Sequence, residues 1–365
     1  MARPVSERDQ KILADIGRQW EFLGASAVGA ISMHSMYFHP DFDPNGNSQD
    51  FGIHKEAEFI EHKVREWATA HGLWIPGLGE HVGTMSSYLY PRGTADALIV
   101  AGKCHILDWH LDDRMGRDKI ATMSAAERAR AEAHRDKITV LISSGAKEGA
   151  VGPSLQPFAE VVGEICSTSP YEWQCRFLNA WAGHIDAMCR SHSLRDTHRV
   201  PDGAEYETVR YATSGMQYTG ELVEYTGGNF LAWKYLDNDL REALDRLIRY
   251  CGMAGALCND LLSFEREVLS ESCDDNAIVI HMLNHPEHSL LESLQVIAAR
   301  ANAFVASFFN AHAAAASAGA LIEDEPRRRS VLSHLDAMRT YFTGCYAWQR
   351  DTGRYEQKSP TIRRD

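Results

Sequence analysis

The sequence has few of the signals that mark secreted, membrane-spanning or zinc-binding proteins. None of its eight cysteines forms a C-x-x-C pair, which argues against a structural zinc site and suits buried thiols in a reduced compartment. No apolar run reaches the roughly 20 residues that a transmembrane helix needs. Residues 1–13 are charged and have no apolar core, so we expect no secretory signal. The sequence therefore predicts a cytoplasmic protein without stable membrane insertion.

Strand signals are also nearly absent. We find no long alternating run bounded by hairpin turns, no repeat at a fixed period and no convincing linker. Apolar residues recur instead at helical spacing, and the hydrophobic fraction of 44% is sufficient for a sizeable core. We therefore predict one all-α domain over residues 1–365, with loosely ordered segments at 1–50 and 357–365.

The helical periodicity locates the individual elements. The stretch 94–111 is apolar on most faces, which is typical of a helix buried in the middle of a bundle. We expect a loop at 145–157 and a surface loop or helix end at 313–329. The remaining helices are predicted at 56–71, 125–141, 158–165, 170–189, 206–222, 276–283, 289–313 and 329–350, with one or two helices over 237–268.

The charge balance restricts the kind of partner. Lysine and arginine number 37 against 50 aspartates and glutamates, a net charge of −13. An anionic surface such as nucleic acid is therefore not the expected partner. An acidic protein can still bind an anionic substrate when metal ions supply the positive charge.

Two polar clusters could hold such a metal. Asp112 and Asp113 end the apolar stretch, and Asp118 follows five residues later. Mg²⁺ takes oxygen ligands and is usually shared between one or two carboxylates and a substrate phosphate. We interpret Asp112 and Asp113 as magnesium ligands at the mouth of a helical cavity.

The second cluster is the stripe Asn259, Ser263 and Glu267. Spacings of four residues place these three side chains within roughly 80° of one another on a helix. An amide oxygen, a hydroxyl and a carboxylate on one face suit one hard cation. The alternative is an ordinary polar stripe at a helix surface.

Together these motifs resemble the bacterial class I terpene synthases, or terpene cyclases. That family has an aspartate-rich motif and an Asn-Asp-x-x-Ser-x-x-x-Glu motif, as here at 112–113 and 259–267. The resemblance extends over about 73–356 and includes Tyr90-Pro91, the segment 208–215 with Arg210, Trp348, and the pair Arg354-Tyr355. It implies an α-helical bundle around a central apolar cavity.

The resemblance also implies a set of metal ions. Three Mg²⁺ ions are expected, with Mn²⁺ as a substitute. Asp112 would hold two of them, and Asn259, Ser263 and Glu267 would hold the third. The family usually places a last carboxylate three or four residues beyond the second aspartate, where this chain has Gly116 and Arg117. Asp118 comes one residue later and is the weakest candidate ligand.

Other residues would handle the diphosphate and the carbocation. Arginines donate two hydrogen bonds at once to phosphate oxygens. The aromatic faces of Trp109 and Trp348 could stabilise a carbocation, unless both are ordinary core residues. A helix break at 213–215, around Ser214 and Gly215, would aim a main-chain carbonyl into the cavity. The predicted diphosphate donors are Arg210, Arg266, Arg354 and the hydroxyl of Tyr355. For each of the three arginines the alternative role is a surface ion pair. Asp108 receives no role.

We therefore expect metal-dependent ionisation and cyclisation of a linear isoprenyl diphosphate to a cyclic terpene plus diphosphate. Farnesyl diphosphate is the leading substrate and geranylgeranyl diphosphate is second, on family frequency. The alternatives are a chain-elongating prenyl diphosphate synthase and a non-catalytic isoprenoid-binding homologue. A protonation-initiated cyclase is disfavoured because its Asp-x-Asp-Asp acid would need aspartate where this chain has His110. A homodimer remains open.

Overall fold

A computed structural model describes residues 2–26, 31–37, 39–42, 52–146, 152–355 and 362–363. The side chains of Ser26, Arg117 and Asp118 fall outside this description, so the prediction for Asp118 concerns an undescribed side chain. About 75% of the described chain is helical and its strands are only two residues long, which confirms the all-α class. No helix within these ranges combines the length and apolarity needed to span a bilayer.

Seventeen α-helices lie within the described residues. In chain order they are α1 Glu7–Ser26, α2 Met33–Met36, α3 Ala57–Ala70, α4 Gly79–Gly83, α5 Met85–Leu89, α6 Ala95–Met115, α7 Arg117–Ile120, α8 Ala125–Ser143, α9 Gln156–Thr168, α10 Tyr171–Met188, α11 Leu194–Thr197, α12 Gly203–Thr213, α13 Met216–Gly227, α14 Asn238–Leu262, α15 Ala277–Asn284, α16 Leu290–Ala320 and α17 Glu325–Asp351. A π-helical turn, Glu265–Ser270, follows α14, and short 3₁₀ turns lie at Trp233–Tyr235 and Gly353–Tyr355.

Two-residue strands form two small pairs. Strand β1 (Arg3–Pro4) pairs antiparallel with β3 (Arg199–Val200), and β2 (Ile31–Ser32) pairs parallel with β4 (Ile362–Arg363). Neither pair carries a predicted site residue.

Helix α6 is the central helix of the bundle. Its N-cap, Thr94, accepts a hydrogen bond from the main-chain N–H of Ala97, which satisfies one donor of the first turn. Along its length α6 packs against α3, α4, α5, α9 and α13, so apolar residues are needed on most of its faces. This surrounded position explains the apolar sequence and leaves only the last turn, with Asp112 and Asp113, at the edge of the core.

Several boundaries differ from the sequence prediction. The helical stretch predicted at 206–222 is two helices, divided at the break predicted at 213–215, because Gly215 adopts a left-handed conformation with φ of 72°. Helix α16 continues through the alanine-rich stretch to Ala320 rather than ending at 313, since alanine favours helix. Helix α17 begins at Glu325, before the predicted start at 329. Its proline is tolerated there because main-chain N–H groups in the first turn have no acceptor within the helix.

The N-terminal segment contains more structure than predicted. Within the 1–50 segment expected to be loosely ordered, α1 is a 20-residue helix. Ile16 and Trp20, four residues apart on one face, are both buried, and the Trp20 ring lies 5.2 Å from that of Phe264. Of the predicted loose tail at 357–365, only Ile362 and Arg363 fall within the described residues.

One close approach positions the C-terminal helix. A Cβ at Gly344 would collide with the carbonyl oxygen of Tyr88 at the end of α5. Glycine therefore lets α17 lie directly against α5. Trp348, one turn after Gly344, is held at the cavity by this contact and by a 3.0 Å hydrogen bond from its indole N–H to the carbonyl of His81.

Candidate active site

A cavity opens between α6, α10, α12, α13, α14 and α17. The centre of a water molecule can occupy about 140 Å³ of it. Of the site residues predicted from the sequence, the structure brings these to its wall: Trp109, Asp112, Arg210, Ser214, Gly215, Asn259, Glu267, Trp348, Arg354 and Tyr355. Asp113, Ser263 and Arg266 are not among the lining residues.

The two adjacent aspartates occupy different positions. Asp112 is half-buried and lines the cavity, whereas Asp113 is exposed on the neighbouring face of α6. Successive helical residues differ by about 100° in direction, and at this turn of α6 it is Asp112 that takes the cavity side. The next residue after α6, Gly116, has no room for a side chain, because a Cβ there would collide with the Asp112 carboxylate. This contact explains why no carboxylate stands at position 116.

Asn259 joins the two sides of the cavity through its amide. Its oxygen accepts a 2.8 Å hydrogen bond from Nη2 of Arg210, and its Nδ2 donates to the hydroxyl of Tyr355 at 2.6 Å. The neighbouring stripe residue Ser263 is buried, and its hydroxyl donates to the main-chain carbonyl of Asn259 at 2.7 Å. The side chain of Ser263 therefore bonds to its own helix rather than lining the cavity.

Glu267 reaches the cavity from the π-helical turn. Helix α14 ends at Leu262, and the wider turn Glu265–Ser270 continues the chain past it. One Glu267 carboxylate oxygen accepts a 2.8 Å hydrogen bond from Nη2 of Arg266. Arg266 is thus placed beside a cavity carboxylate while itself lying outside the lining.

A buried ion pair fixes Arg210. Its Nε donates to Asp260 at 2.8 Å, and Asp260 also accepts from the hydroxyl of Tyr206 at 2.5 Å. Asp260 is fully buried, so Arg210 is the cation that compensates its charge. Sequence reasoning missed Asp260 as a positioning residue, although it stands inside the motif that was recognised.

The C-terminal pair lies over the cavity beside two tryptophans. The Cζ atom of Arg354 is 3.9 Å from the centroid of Trp109, and the edge of Trp348 meets the ring of Tyr355 at 6.1 Å between centroids. Burial lowers the pKa of Arg354, and nearby Arg266 lowers it further. Burial also raises the pKa of Tyr355 to about 12. Arg354 and Tyr355 therefore already lie within the site.

The helix break lies at the predicted residues. Helix α12 ends at Thr213, Gly215 takes positive φ, and α13 starts at Met216. The carbonyl of Gly215 accepts 3.2 Å hydrogen bonds from both the main-chain N–H and the hydroxyl of Thr219. Ser214 bonds back to the carbonyl of Tyr211 at 2.9 Å.

The donor set suits a cation that is bound together with its substrate. Among the described side chains, no group of three or more His, Cys, Asp or Glu residues is arranged to hold a metal ion alone. The cavity instead offers the carboxylates Asp112 and Glu267 and the amide of Asn259. These are oxygen donors, and magnesium sites commonly combine one or two carboxylates with substrate phosphates. The residues present therefore fit a metal–diphosphate complex.

The bundle, its cavity and these two polar segments are the architecture of a class I terpene cyclase. Residues 103–306 match the family model described as terpene synthase family 2, C-terminal metal binding, which covers more than half of the chain. The chain belongs to this family. The family description implies use of a divalent metal.

Curated relatives and solved structures agree with this assignment. Pristinol synthase of Streptomyces pristinaespiralis is 25% identical over 284 residues, 75% of this chain and 72% of the relative. A 10-epi-cubebol synthase of Sorangium cellulosum is 26% identical over 212 residues, 57% of this chain and 64% of the relative. The crystal structure of germacradien-4-ol synthase from Streptomyces citricolor matches with a TM-score of 0.69 at 19% identity, over 86% of this chain and all of that one. The enzyme is a class I terpene cyclase that acts on an isoprenyl diphosphate.

Proposed function

We propose that the enzyme ionises farnesyl diphosphate with Mg²⁺ and closes the resulting cation into a cyclic terpene, with geranylgeranyl diphosphate as the second candidate substrate. The observation that carries the proposal is that Asp112, Asn259 and Glu267 all line the same cavity. These residues come from segments far apart in the sequence. Their oxygens line one cavity that also offers an apolar wall for a hydrocarbon chain.

Cationic donors support departure of the diphosphate. A leaving group of this charge needs stabilisation that grows as its bond to carbon breaks. Arg210 and Arg354 line the cavity, and Arg266 lies beside Glu267. Tyr355 adds a hydroxyl whose raised pKa keeps it protonated as a donor. We assign these four residues to the diphosphate oxygens.

The metal would be held at the same end of the cavity. When bound, Mg²⁺ supplies positive charge to the leaving diphosphate. We assign Asp112 to one side of the metal cluster and Asn259 and Glu267 to the other, with Mn²⁺ as a substitute and three ions as the expected number. Arg210 now bonds the Asn259 oxygen. The amide oxygen has a second lone pair for a cation, so Arg210 can stay beside the metal and the diphosphate while its Nε remains on Asp260.

Asp113 and Ser263 remain weaker metal candidates. Asp113 is exposed outside the cavity wall, and the Ser263 hydroxyl bonds to its own helix. Each would need a rotamer change to reach the ion.

The remaining wall would protect a carbocation from water. Apolar and aromatic side chains such as Met85, Leu89, Met188 and Trp348 line the cavity beyond the polar end. Exclusion of water prevents early quenching, and aromatic faces stabilise positive charge.

A substrate panel tests the proposal. Purified enzyme is incubated with C10, C15, C20 and C25 isoprenyl diphosphates and Mg²⁺, and solvent extracts are analysed by gas chromatography–mass spectrometry. We expect a cyclic product from the C15 substrate, and none when a chelator is present. If only the C20 diphosphate is turned over, the substrate is geranylgeranyl diphosphate and not farnesyl diphosphate. If the product is a longer isoprenyl diphosphate, the enzyme elongates chains instead of cyclising them.

A further inference from the structure

A histidine and a carboxylic acid face each other in the wall of the cavity, and neither belongs to the diphosphate or metal machinery above. Asp108 lies on α6 and His184 on α10, and both line the cavity. Their exposed fractions are 5% and 6%, and Nε2 of His184 is 3.5 Å from Oδ2 of Asp108. Two titratable groups in a hydrocarbon-binding cavity need a reason to be there, because burial of such groups without function is costly.

The hydrogen bonds of His184 define which nitrogen is available. Nδ1 lies 3.1 Å from the main-chain carbonyl of Ala212, the second-last residue of α12. A carbonyl oxygen only accepts, so Nδ1 carries a hydrogen. The neutral ring therefore has its lone pair on Nε2. A Cβ at Gly215 would lie 3.3 Å from that atom, so Nε2 is next to the helix break.

Asp108 is held so that one of its oxygens can serve His184. The indole N–H of Trp181 donates to Oδ1 at 2.8 Å. Oδ2 is buried without a hydrogen bond of good geometry to any described residue. Burial raises the pKa of Asp108, and the neighbouring His184, Tyr218 and Trp181 oppose that rise. The carboxyl group is thus fixed at one oxygen by Trp181 and approached by Tyr218, and its Oδ2 lies 3.5 Å from the imidazole.

We propose that His184 is the base that removes the final proton from the cyclised carbocation, and that Asp108 positions and stabilises the imidazolium that forms. The inference rests on the proposed cyclisation. Asp108 precedes Asp112 by one turn of α6, about 6 Å along the helix axis. The pair therefore serves carbons lying deeper in the cavity than the diphosphate.

The step balances without any further reactant. A C–H bond next to the cationic carbon breaks, and its electron pair becomes the π-bond of the alkene. The proton binds Nε2 of His184. The imidazolium then keeps its Nδ1–H on the Ala212 carbonyl, and its positive charge is balanced by the Asp108 carboxylate, whose Oδ2 lies 3.5 Å from Nε2. The proton leaves to solvent or diphosphate when the products depart.

Product partition separates this role from a structural one. Diphosphate release reports ionisation, and the alkene fraction of the product reports proton removal. Wild-type enzyme is compared with His184→Phe, because phenylalanine keeps a flat ring against Tyr218. Both are assayed with Mg²⁺ and farnesyl diphosphate, or with the C20 diphosphate if the substrate panel selects it. We expect His184→Phe to release diphosphate within about threefold of wild type while its yield of the wild-type alkene falls about tenfold or more.

His105→Phe is the matched control. His105 is a fully buried imidazole on the same helix as Asp108, and it is not among the cavity-lining residues. Burial lowers its pKa to about 3. We expect this variant to keep the wild-type product mixture. Asp108→Asn, which retains an oxygen for Trp181, should shift the products in the same direction as His184→Phe.

The outcomes distinguish the two proposals. No diphosphate release by wild-type enzyme with any substrate would overturn the proposed function and this inference with it. Normal release with an unchanged product mixture in His184→Phe would overturn the inference alone. A wild-type product consisting only of an alcohol labelled by ¹⁸O-water would also overturn it, because no proton would then leave carbon. If His184→Phe does not fold, His184→Gln and Asp108→Asn give the same comparison.

Discussion

The guanidinium of Arg354 rests on the ring of Trp109, with 3.9 Å between Cζ and the ring centroid. Arg354 comes from the 3₁₀ turn after α17, and Trp109 lies on α6, one turn before the cavity carboxylate Asp112. Nε of Arg354 is buried without a hydrogen-bond partner among the described residues, so the ring is a principal contact of this cation. Trp109 therefore holds a proposed diphosphate donor in place.

Replacing Trp109 with leucine should weaken substrate binding. A desolvated cation–π contact contributes about 0.5–2 kcal/mol, so we expect KM for the isoprenyl diphosphate to rise about 2- to 30-fold. The KM of Trp109→Phe should lie between those of wild type and Trp109→Leu, because phenylalanine keeps an aromatic face. The measurement is the concentration dependence of diphosphate release.

Tyr235→Leu is the control for this change. Tyr235 is 59% exposed, its ring lies 5.2 Å from the Cζ atom of Arg327, and it is not among the residues that line the cavity. Its loss should leave KM unchanged. Equal KM values for wild type and Trp109→Leu would show that the ring does not position Arg354.

Asp260→Ala should destabilise the fold. Asp260 is fully buried and pairs with Arg210 at 2.8 Å, so its removal leaves a buried guanidinium without its carboxylate. Breaking a buried pair in this way costs about 3–5 kcal/mol of unfolding free energy. Urea unfolding followed by circular dichroism measures the loss. Asp239→Ala, at an exposed position of the same helix, should change the unfolding free energy by less than about 1 kcal/mol. Similar values for both variants would contradict the assignment.

Glu221 should make stability depend on pH. Burial raises its pKa from 4.5 to about 7, although Arg176 opposes the rise from 3.2 Å. The folded state therefore holds a proton that the unfolded state has already lost between these pH values. The contribution to stability is complete below about pH 4.5 and is lost as the pH rises through 7, by up to about 3 kcal/mol.

Glu221→Gln tests this dependence, because an amide cannot titrate. Its unfolding free energy should fall less than that of wild type between pH 5 and pH 8. Glu172→Gln, an exposed position on α10, should follow the wild-type curve. Parallel curves for wild type and Glu221→Gln would contradict the raised pKa.

Local sequence patterns predict the helices and the polar end of the site, because both depend on short-range spacing. The apolar stretch that becomes α6 and the four-residue spacing from Asn259 to Glu267 are visible in the sequence. The side-chain direction of Ser263 is not, since a buried hydroxyl can bond to its own helix instead of a ligand.

Contacts between distant segments that belong to no recognised motif could not be predicted. Asp108 and His184 are ordinary helical residues in the sequence, and only the packing of the bundle brings α6 and α10 to one cavity wall. The early helix α1 was missed for a similar reason. The buried face of α1 is narrow, and the helix is stabilised by contacts with residues far along the chain, such as Phe264.

The most direct test of the central claim compares two adjacent aspartates. Diphosphate release from farnesyl diphosphate is measured with Mg²⁺ for wild type, Asp112→Asn and Asp113→Asn, with helical circular dichroism as the folding control. Asp112 lines the cavity and Asp113 is exposed. We expect Asp112→Asn to lose about 100-fold or more of the turnover and Asp113→Asn to stay within about fivefold of wild type. Full turnover by Asp112→Asn would contradict the account.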